Sequence, residues 1–242
     1  MTSKHIDQMI EDMLEALELK TAYSSKKEQL RQYVILLLSG LKKTRLTGEK
    51  TAEGIIKKQI YDSLSILKFL NFNPGTEVVD LGSGGGLPGL PVKICKPDIK
   101  VYFMDANRKK ALFLTEAITN LNINQAEVLC GRAEDYGQSA EHRARYDLIL
   151  CKAVAKTAVL AELALPLVKM GGSVALYKGP LGAMEIQEAE NAIAVCGGQQ
   201  ENSWHYKLQN GEERTLYLIK KNNVTPSKYP RRAGKPSNNP IK

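Results

Sequence analysis

Val78-Val79-Asp80-Leu81-Gly82-Ser83-Gly84-Gly85-Gly86-Leu87-Pro88-Gly89 decides the fold of this chain. A short apolar run ends at an acid and breaks into glycines, the pattern of a buried strand turning sharply into a helix. Pro88 and Pro91 suit the first turn of that helix, where a missing N–H leaves no hydrogen bond unmade. Bare backbone at such a turn lets a small molecule lie against the chain.

The sequence on either side has different rhythms. Asn73-Pro74-Gly75-Thr76 is turn chemistry and marks a boundary. Beyond it, apolar runs at 77–81, 101–104, 127–130, 147–151 and 173–177 alternate with helical windows at 91–95, 108–121, 155–168 and 181–195. Alternating strands and helices predict an α/β domain, a mostly parallel sheet covered on both faces. Runs at 199–206 and 214–220 then follow each other with only Asn210-Gly211 turn signals between them, which predicts an antiparallel hairpin at the sheet edge. The expected architecture is Rossmann-like, a seven-stranded mixed sheet over residues 74–220.

Residues 1–73 read as a helical N-terminal extension. Ile6, Met9, Ile10, Met13, Leu14 and Leu17 form one apolar stripe. Ser25 and Glu28 have capping-box spacing before a second stripe of Leu30, Tyr33, Val34, Leu37, Leu38 and Leu41, with Gly40 placed to end that helix. A third helix is predicted over 51–70, with Ile55, Ile56, Ile60, Leu64 and Leu67 inward. The connection between the last two is basic and includes Arg45. Residues 221–242 hold six Lys or Arg, four Pro and no acid, the composition of an extended basic arm or an unstructured tail.

The chain has 242 residues, 43% of them hydrophobic, and a formal net charge of +8, which favours an anionic partner with nucleic acid first. The four cysteines form no C-x-x-C pair and the three histidines show no ligand spacing, so reduced thiols in a cytosolic protein and no metal site are expected. The sequence contains no run of about 18 apolar residues, and residues 1–20 do not have the pattern of a signal peptide.

Two cofactor patterns overlap on the glycines. Gly84, Gly86 and Gly89 satisfy the dinucleotide fingerprint G-x-G-x-x-G. Asp80, Gly82, Gly84 and Gly86 satisfy D-x-G-x-G-x-G, the pattern of S-adenosylmethionine enzymes. A dinucleotide would place phosphates at this helix start, where Asp80 opposes them. S-adenosylmethionine brings a sulfonium and an ammonium, which Asp80 favours. Asp105 ends the second strand, where an acid takes the ribose hydroxyls of either ligand. Ala133 and Glu134, after the third strand, are placed for the adenine rim. The fourth strand ends Cys151-Lys152-Ala153-Val154-Ala155. The Pro-Pro-aromatic motif of exocyclic-amine methyltransferases is missing, and so is a Pro beside Cys151 as in carbon-5 enzymes. A target such as guanine N7, which carries a lone pair and no proton, needs positioning more than a base. Lys152 and Lys178 follow the fourth and fifth strands, where a cation holds a cofactor carboxylate or an RNA phosphate.

At these residues the chain resembles the glucose-inhibited division protein B family, bacterial small-subunit ribosomal RNA guanine-N7 methyltransferases. The resemblance rests on Val79 through Pro91, above all Leu87-Pro88-Gly89-Leu90-Pro91, together with Arg132-Ala133-Glu134, Ala153-Val154-Ala155, 163–167, Lys178-Gly179 and the ending 225–232. It implies a class I S-adenosylmethionine-dependent methyltransferase fold with cofactor contacts at Gly82, Leu87, Asp105, Ala133, Glu134 and Lys152. It also implies an assembled small-subunit RNA substrate, and the basic residues Arg45, Lys178, Lys228, Arg231 and Arg232 are expected to grip its phosphates. A cytoplasmic monomer is expected. Three positions depart from the family's usual residues: Lys152 stands for Arg, Arg45 for Asn and Gln59 for His. Two rivals remain, an NAD-dependent oxidoreductase and an RNA-binding relative that recognises another RNA or has lost turnover.

Overall fold

The computed structural model describes residues 3–242; the first two residues of the expected extension lie outside the described residues. Seven strands form one sheet in the order β3-β2-β1-β4-β5-β7-β6. β1 (Glu77–Leu81), β2 (Lys100–Asp105), β3 (Ala126–Cys130), β4 (Tyr146–Lys152) and β5 (Val168–Lys178) run parallel. β6 (Gly198–Lys207) and β7 (Glu213–Lys221) form the expected hairpin, with β7 antiparallel between β5 and β6. The strand order reverses between β1 and β4, and in such sheets the carboxyl ends at the reversal flank the ligand crevice.

Register decides which side chains meet there. Asp80 pairs with Phe103 on one side and Leu150 on the other. Side chains alternate along a strand, so Val78, Asp80, Phe103, Leu148, Leu150 and Lys152 share one face. Val79, Leu81, Tyr102, Met104, Ile149 and Cys151 share the other. The two apolar cores divide along this line. The first face is covered by the N-terminal helices together with α3 (Gly89–Cys95) and α4 (Arg108–Asn120). The second is covered by α5 (Ala133–Gln138), α6 (Thr157–Ala164), α7 (Gly182–Glu188) and α8 (Glu190–Val195).

The N-terminal region is a cap made of α1 (Ser3–Ala16), α2 (Lys27–Gly40) and a helical run from Ala52. All six residues of the first predicted stripe are buried. The capping box is not formed: the chain reaches α2 through a 3-10 turn at Ser24–Lys26, no side chain caps the helix, and Glu28 bonds Arg31 and Gln32 instead. An amide that already bonds a preceding carbonyl has no need of a cap. The third helix is interrupted by a π turn at Ile55–Ile60. Ile55, Ile56, Ile60 and Leu64 are buried as expected; the run ends in a 3-10 turn at Ile66–Lys68, where Ile66 is buried and Leu67 is half-buried against the same core.

Residues beyond β7 do not extend away. Arg143 donates to the carbonyls of Gly137, Thr225, Pro226 and Tyr229, and Gln138 donates to those of Ser227 and Pro230. The segment thereby folds back over α5 and α6. Among the described residues no helix is long and apolar enough to cross a membrane.

Candidate cofactor cleft

Gly82 leaves β1 with φ +70°, in the left-handed region, and a Cβ there would lie 2.8 Å from a Val154 methyl. Any side chain there would strain the backbone and press on Val154 where the loop passes beneath it. Two connected hollows open on either side of this crossing. One, of about 280 Å³, is lined by Leu81, Met104, Asp105, Ala133, Glu134 and Leu163 among others. The other, of about 480 Å³, lies under the cap and is lined by Arg45, Leu46, Thr47, Gln59, Leu87 and Lys152 among others. Gly82, Lys110 and Ala153 line both. The three positions that depart from the family's usual residues therefore face one hollow.

Asp105 is nine-tenths buried at the mouth of the first hollow. Its Oδ2 accepts the Gly84 N–H at 2.9 Å and its Oδ1 the Asn107 N–H at 2.8 Å, which fixes the carboxylate across the loop. Gly84 thus serves the cleft through its amide. Glu134 stands in the first turn of α5, also buried, beside Ala133.

Asp80 lines neither hollow. It lies fully buried beneath the loop, where Oδ2 accepts the Gly89 N–H at 2.9 Å and Oδ1 has no partner among the described residues. Burial raises its carboxyl to about 7, opposed by the Gly89 hydrogen bond and the positive charge of Lys152. The cofactor contact expected of Asp80 is thus not a direct one: its carboxylate holds the loop at Gly89 from beneath. Gly86 faces Leu90, Leu114 and Tyr33, so its lack of a side chain admits the cap rather than a ligand. Gly89 is pressed against Asp80. Gly89 packs helix against strand under either cofactor pattern, but Gly86, the glycine by which a pyrophosphate would approach the backbone, is filled by Leu90, Leu114 and Tyr33, which disfavours a dinucleotide.

Lys152 points to the cap, as its strand register requires. Nζ donates to the Gln59 carbonyl at 3.0 Å and the Ser63 hydroxyl at 3.2 Å, and lies 3.5 Å from Asp62 Oδ2. Burial lowers its pKa, and Asp62 opposes that shift. Asp62 in turn accepts from the Tyr206 hydroxyl at 2.6 Å.

Lys178 turns inward, 2.7 Å from Glu185, with its side chain 8% exposed. Arg231 is engaged by Glu162. Neither cation is presented to solvent as the phosphate contact expected of it, because each compensates a carboxylate. Arg45, Lys228 and Arg232 are exposed. Cys151 is buried on the opposite face of the sheet, and burial pushes its thiol up, away from the reactive thiolate. Lys110, Ala153, Val154 and Asp62 were not expected as site residues from sequence, although Ala153 and Val154 belong to a motif that carries the resemblance. Ala153 has φ +56°, a strained value for a non-glycine residue at the end of β4, and a lone alanine in sequence carries no such signal.

A model of the family described as rRNA small subunit methyltransferase G matches residues 26–217. A ribosomal RNA small subunit methyltransferase G from Leuconostoc mesenteroides is 37% identical over 235 residues, 96% of this chain and 98% of that protein. One from Pelotomaculum thermopropionicum is 39% identical over 214 residues, 88% and 90% of the two chains. Among solved structures, a SAM dependent methyltransferase from Aquifex aeolicus superposes with TM-score 0.50 and 19% identity, over 69% of this chain and 92% of that one. TrmN from Thermus thermophilus gives TM-score 0.51 and 20% identity, over 66% and 48%. The sheet is that of the class I methyltransferases.

Proposed function

The chain belongs to the rRNA small subunit methyltransferase G family, and on that premise we propose that it methylates N7 of a guanine in small-subunit ribosomal RNA with S-adenosylmethionine as donor. When bound, S-adenosylmethionine supplies a methyl group on a sulfonium. The residues of the cleft suit such a molecule. Asp105 offers a fixed acceptor to a ribose, and Ala133 with Glu134 offers an edge to an adenine. Leu81, Met104 and Leu163 give the flat ring an apolar seat. Gly82 and Leu87 bring backbone and an apolar wall to the crossing between the hollows, and Lys152 supplies a cation for an amino-acid carboxylate.

One observation carries the choice of target atom. Among the described residues, the hollow under the cap is lined by no carboxylate, histidine, cysteine or tyrosine, and the ammonium of its buried Lys152 is already engaged by Gln59, Ser63 and Asp62. Transfer to an exocyclic amine or a hydroxyl needs a group that takes up a proton. Guanine N7 has no proton to lose. Holding its lone pair in line is enough to supply most of the acceleration, and Arg45 or Lys110 is suited to bind the neighbouring O6 acceptor of the same base edge. Arg45, Lys228 and Arg232 are the proposed phosphate contacts, and the enzyme is proposed to work as a monomer in the cytoplasm.

The test is to incubate the protein with unmodified small subunits and methyl-labelled S-adenosylmethionine, digest the RNA, and identify the labelled nucleoside by mass spectrometry. 7-Methylguanosine at a single position is expected. Label on another atom, or none, refutes the assignment; the latter result would favour the RNA-binding relative without turnover.

A further inference from the structure

We infer that the turn at 232–235 near the C-terminus is a positioning element of the cofactor cleft, in which the Gly234 N–H sets the Glu134 carboxylate toward the adenine 6-amine. This rests on the proposed S-adenosylmethionine reading and adds to it a part of the chain remote from the glycine loop. The segment is first anchored. Thr225 Oγ1 donates to the Cys196 carbonyl at 2.6 Å, and Arg143 gathers the carbonyls around it. Arg231 then gives three donors, its own N–H, Nε and one terminal nitrogen, to Glu162, a carboxylate with no exposed surface. Glu162 lies on α6 next to Leu163, which lines the first hollow.

Past Arg231 the chain packs further, with Pro236 buried and Ile241 against the second core, and it also makes one contact directed at the cleft. A turn closed by Lys235 N–H to the Arg232 carbonyl at 3.0 Å places Gly234 at φ +82°. From there its N–H donates to Glu134 Oε1 at 2.9 Å. A glutamate in the first turn of a helix ordinarily bonds the free amides of its own helix. Here one oxygen is held by a residue 100 positions away. Oε2 has no hydrogen-bond partner among the described residues, and Glu134 lines the hollow. A carboxylate fixed by one oxygen presents the other without the rotamer loss that a free side chain pays on binding. An acceptor held this way, aimed at position 6, selects a 6-amino purine, which donates there, over a 6-oxo purine, which presents an acceptor oxygen there.

The test uses chains that end after Arg231, so that the Glu162–Arg231 pair is kept. Calorimetry would compare S-adenosylhomocysteine with S-inosylhomocysteine, alongside the thermal midpoint. In the full chain the adenosyl compound should bind more tightly. Truncation should weaken it about tenfold and leave the inosyl compound nearly unchanged, while the midpoint falls only by the lost packing of Pro236 and Ile241. Gly234→Pro in the full chain, which removes the same donor and, because proline cannot adopt φ +82°, the turn that presents it, should reproduce the selective loss. An unchanged preference, or equal weakening of both ligands in step with a lowered midpoint, would overturn the inference and leave the segment a structural strap. Failure of the full chain to bind S-adenosylhomocysteine at all would instead refute the cofactor reading on which the inference rests.

Discussion

Lys152 Nζ donates to the main-chain carbonyl of Gln59 across 3.0 Å, joining the end of β4 to the π turn of the cap. The Ser63 hydroxyl donates to the same carbonyl at 2.6 Å, and the Tyr177 hydroxyl donates to the Ser63 carbonyl at 3.1 Å. With the Asp62 carboxylate beside it, Lys152 is the centre of a buried polar seam between the two parts of the chain. If it serves a cofactor carboxylate it does so from this setting, and cofactor binding and cap closure then share one cation.

Lys152→Met should therefore act on stability before it acts on chemistry. It leaves Asp62 buried with only the Tyr206 hydroxyl to compensate it, a loss of about 3–5 kcal/mol. Adding Asp62→Asn removes the stranded charge and should recover a large part of that loss. Urea unfolding of the two single variants and the double variant measures the coupling; additive losses would show that the pair does not interact.

Asp80 should make cofactor binding pH-dependent. Its carboxyl is raised to about 7, so in the free protein it is neutral below that pH and ionised above it. The negative form attracts a sulfonium, so affinity for S-adenosylmethionine should rise about tenfold between about pH 6 and about pH 8 if only the ionised form binds. The same shift has the opposite effect on the free fold. Its folded value lies above the unfolded one, so this group's contribution to stability is complete below about pH 4 and is lost as pH rises through about 7. Asp80→Asn should flatten both profiles, measured by calorimetry and by denaturation across that range. A wild-type affinity that does not change with pH would remove Asp80 from cofactor recognition.

The parts of the molecule that were legible in sequence are those set by local periodicity. β1 has the limits read from its apolar run, and the hairpin arises from two alternating runs around Asn210-Gly211. The first helical stripe is buried residue for residue. Asp105, Ala133 and Glu134 could be placed because strand ends in this topology converge on one crevice. What sequence could not give was the choice of partner. Lys152 bonds a carbonyl 93 residues away and Arg231 a carboxylate 69 residues away. A Lys or Arg in a basic stretch looks the same whether it faces phosphate or compensates a buried acid. The composition of the C-terminal segment therefore suggested a free arm, although Arg143 and Glu162 hold it down.

RNA binding should separate the exposed cations from the engaged ones. Lys228→Ala, Arg232→Ala and Arg45→Ala should each lower the slope of log affinity against log salt by about 0.7–0.9 if each contacts one phosphate. Lys178→Met should leave the slope unchanged, because Glu185 already holds that ammonium. Filter binding to small-subunit RNA over a range of salt concentrations gives these slopes. A reduced slope for Lys178→Met would mean that its pair with Glu185 opens when RNA binds.

Gly82→Ala should close the crossing between the two hollows. An alanine at φ +70° carries left-handed strain of about 1–2 kcal/mol, and its Cβ would press on both Val154 methyls, 2.8 and 2.9 Å away. Val154 is 38% exposed, so it has room to yield. It lines the first hollow, so displacement there narrows the seat of the adenosine. Affinity for S-adenosylhomocysteine should fall about tenfold or more, with a smaller loss of stability. Val154→Ala in the same chain restores the space but not the backbone angle, so it should recover part of the affinity and little of the stability. If Gly82→Ala binds as the wild type does, the crossing is not where the ligand lies against the backbone, and the cleft would have to be entered from the cap side alone.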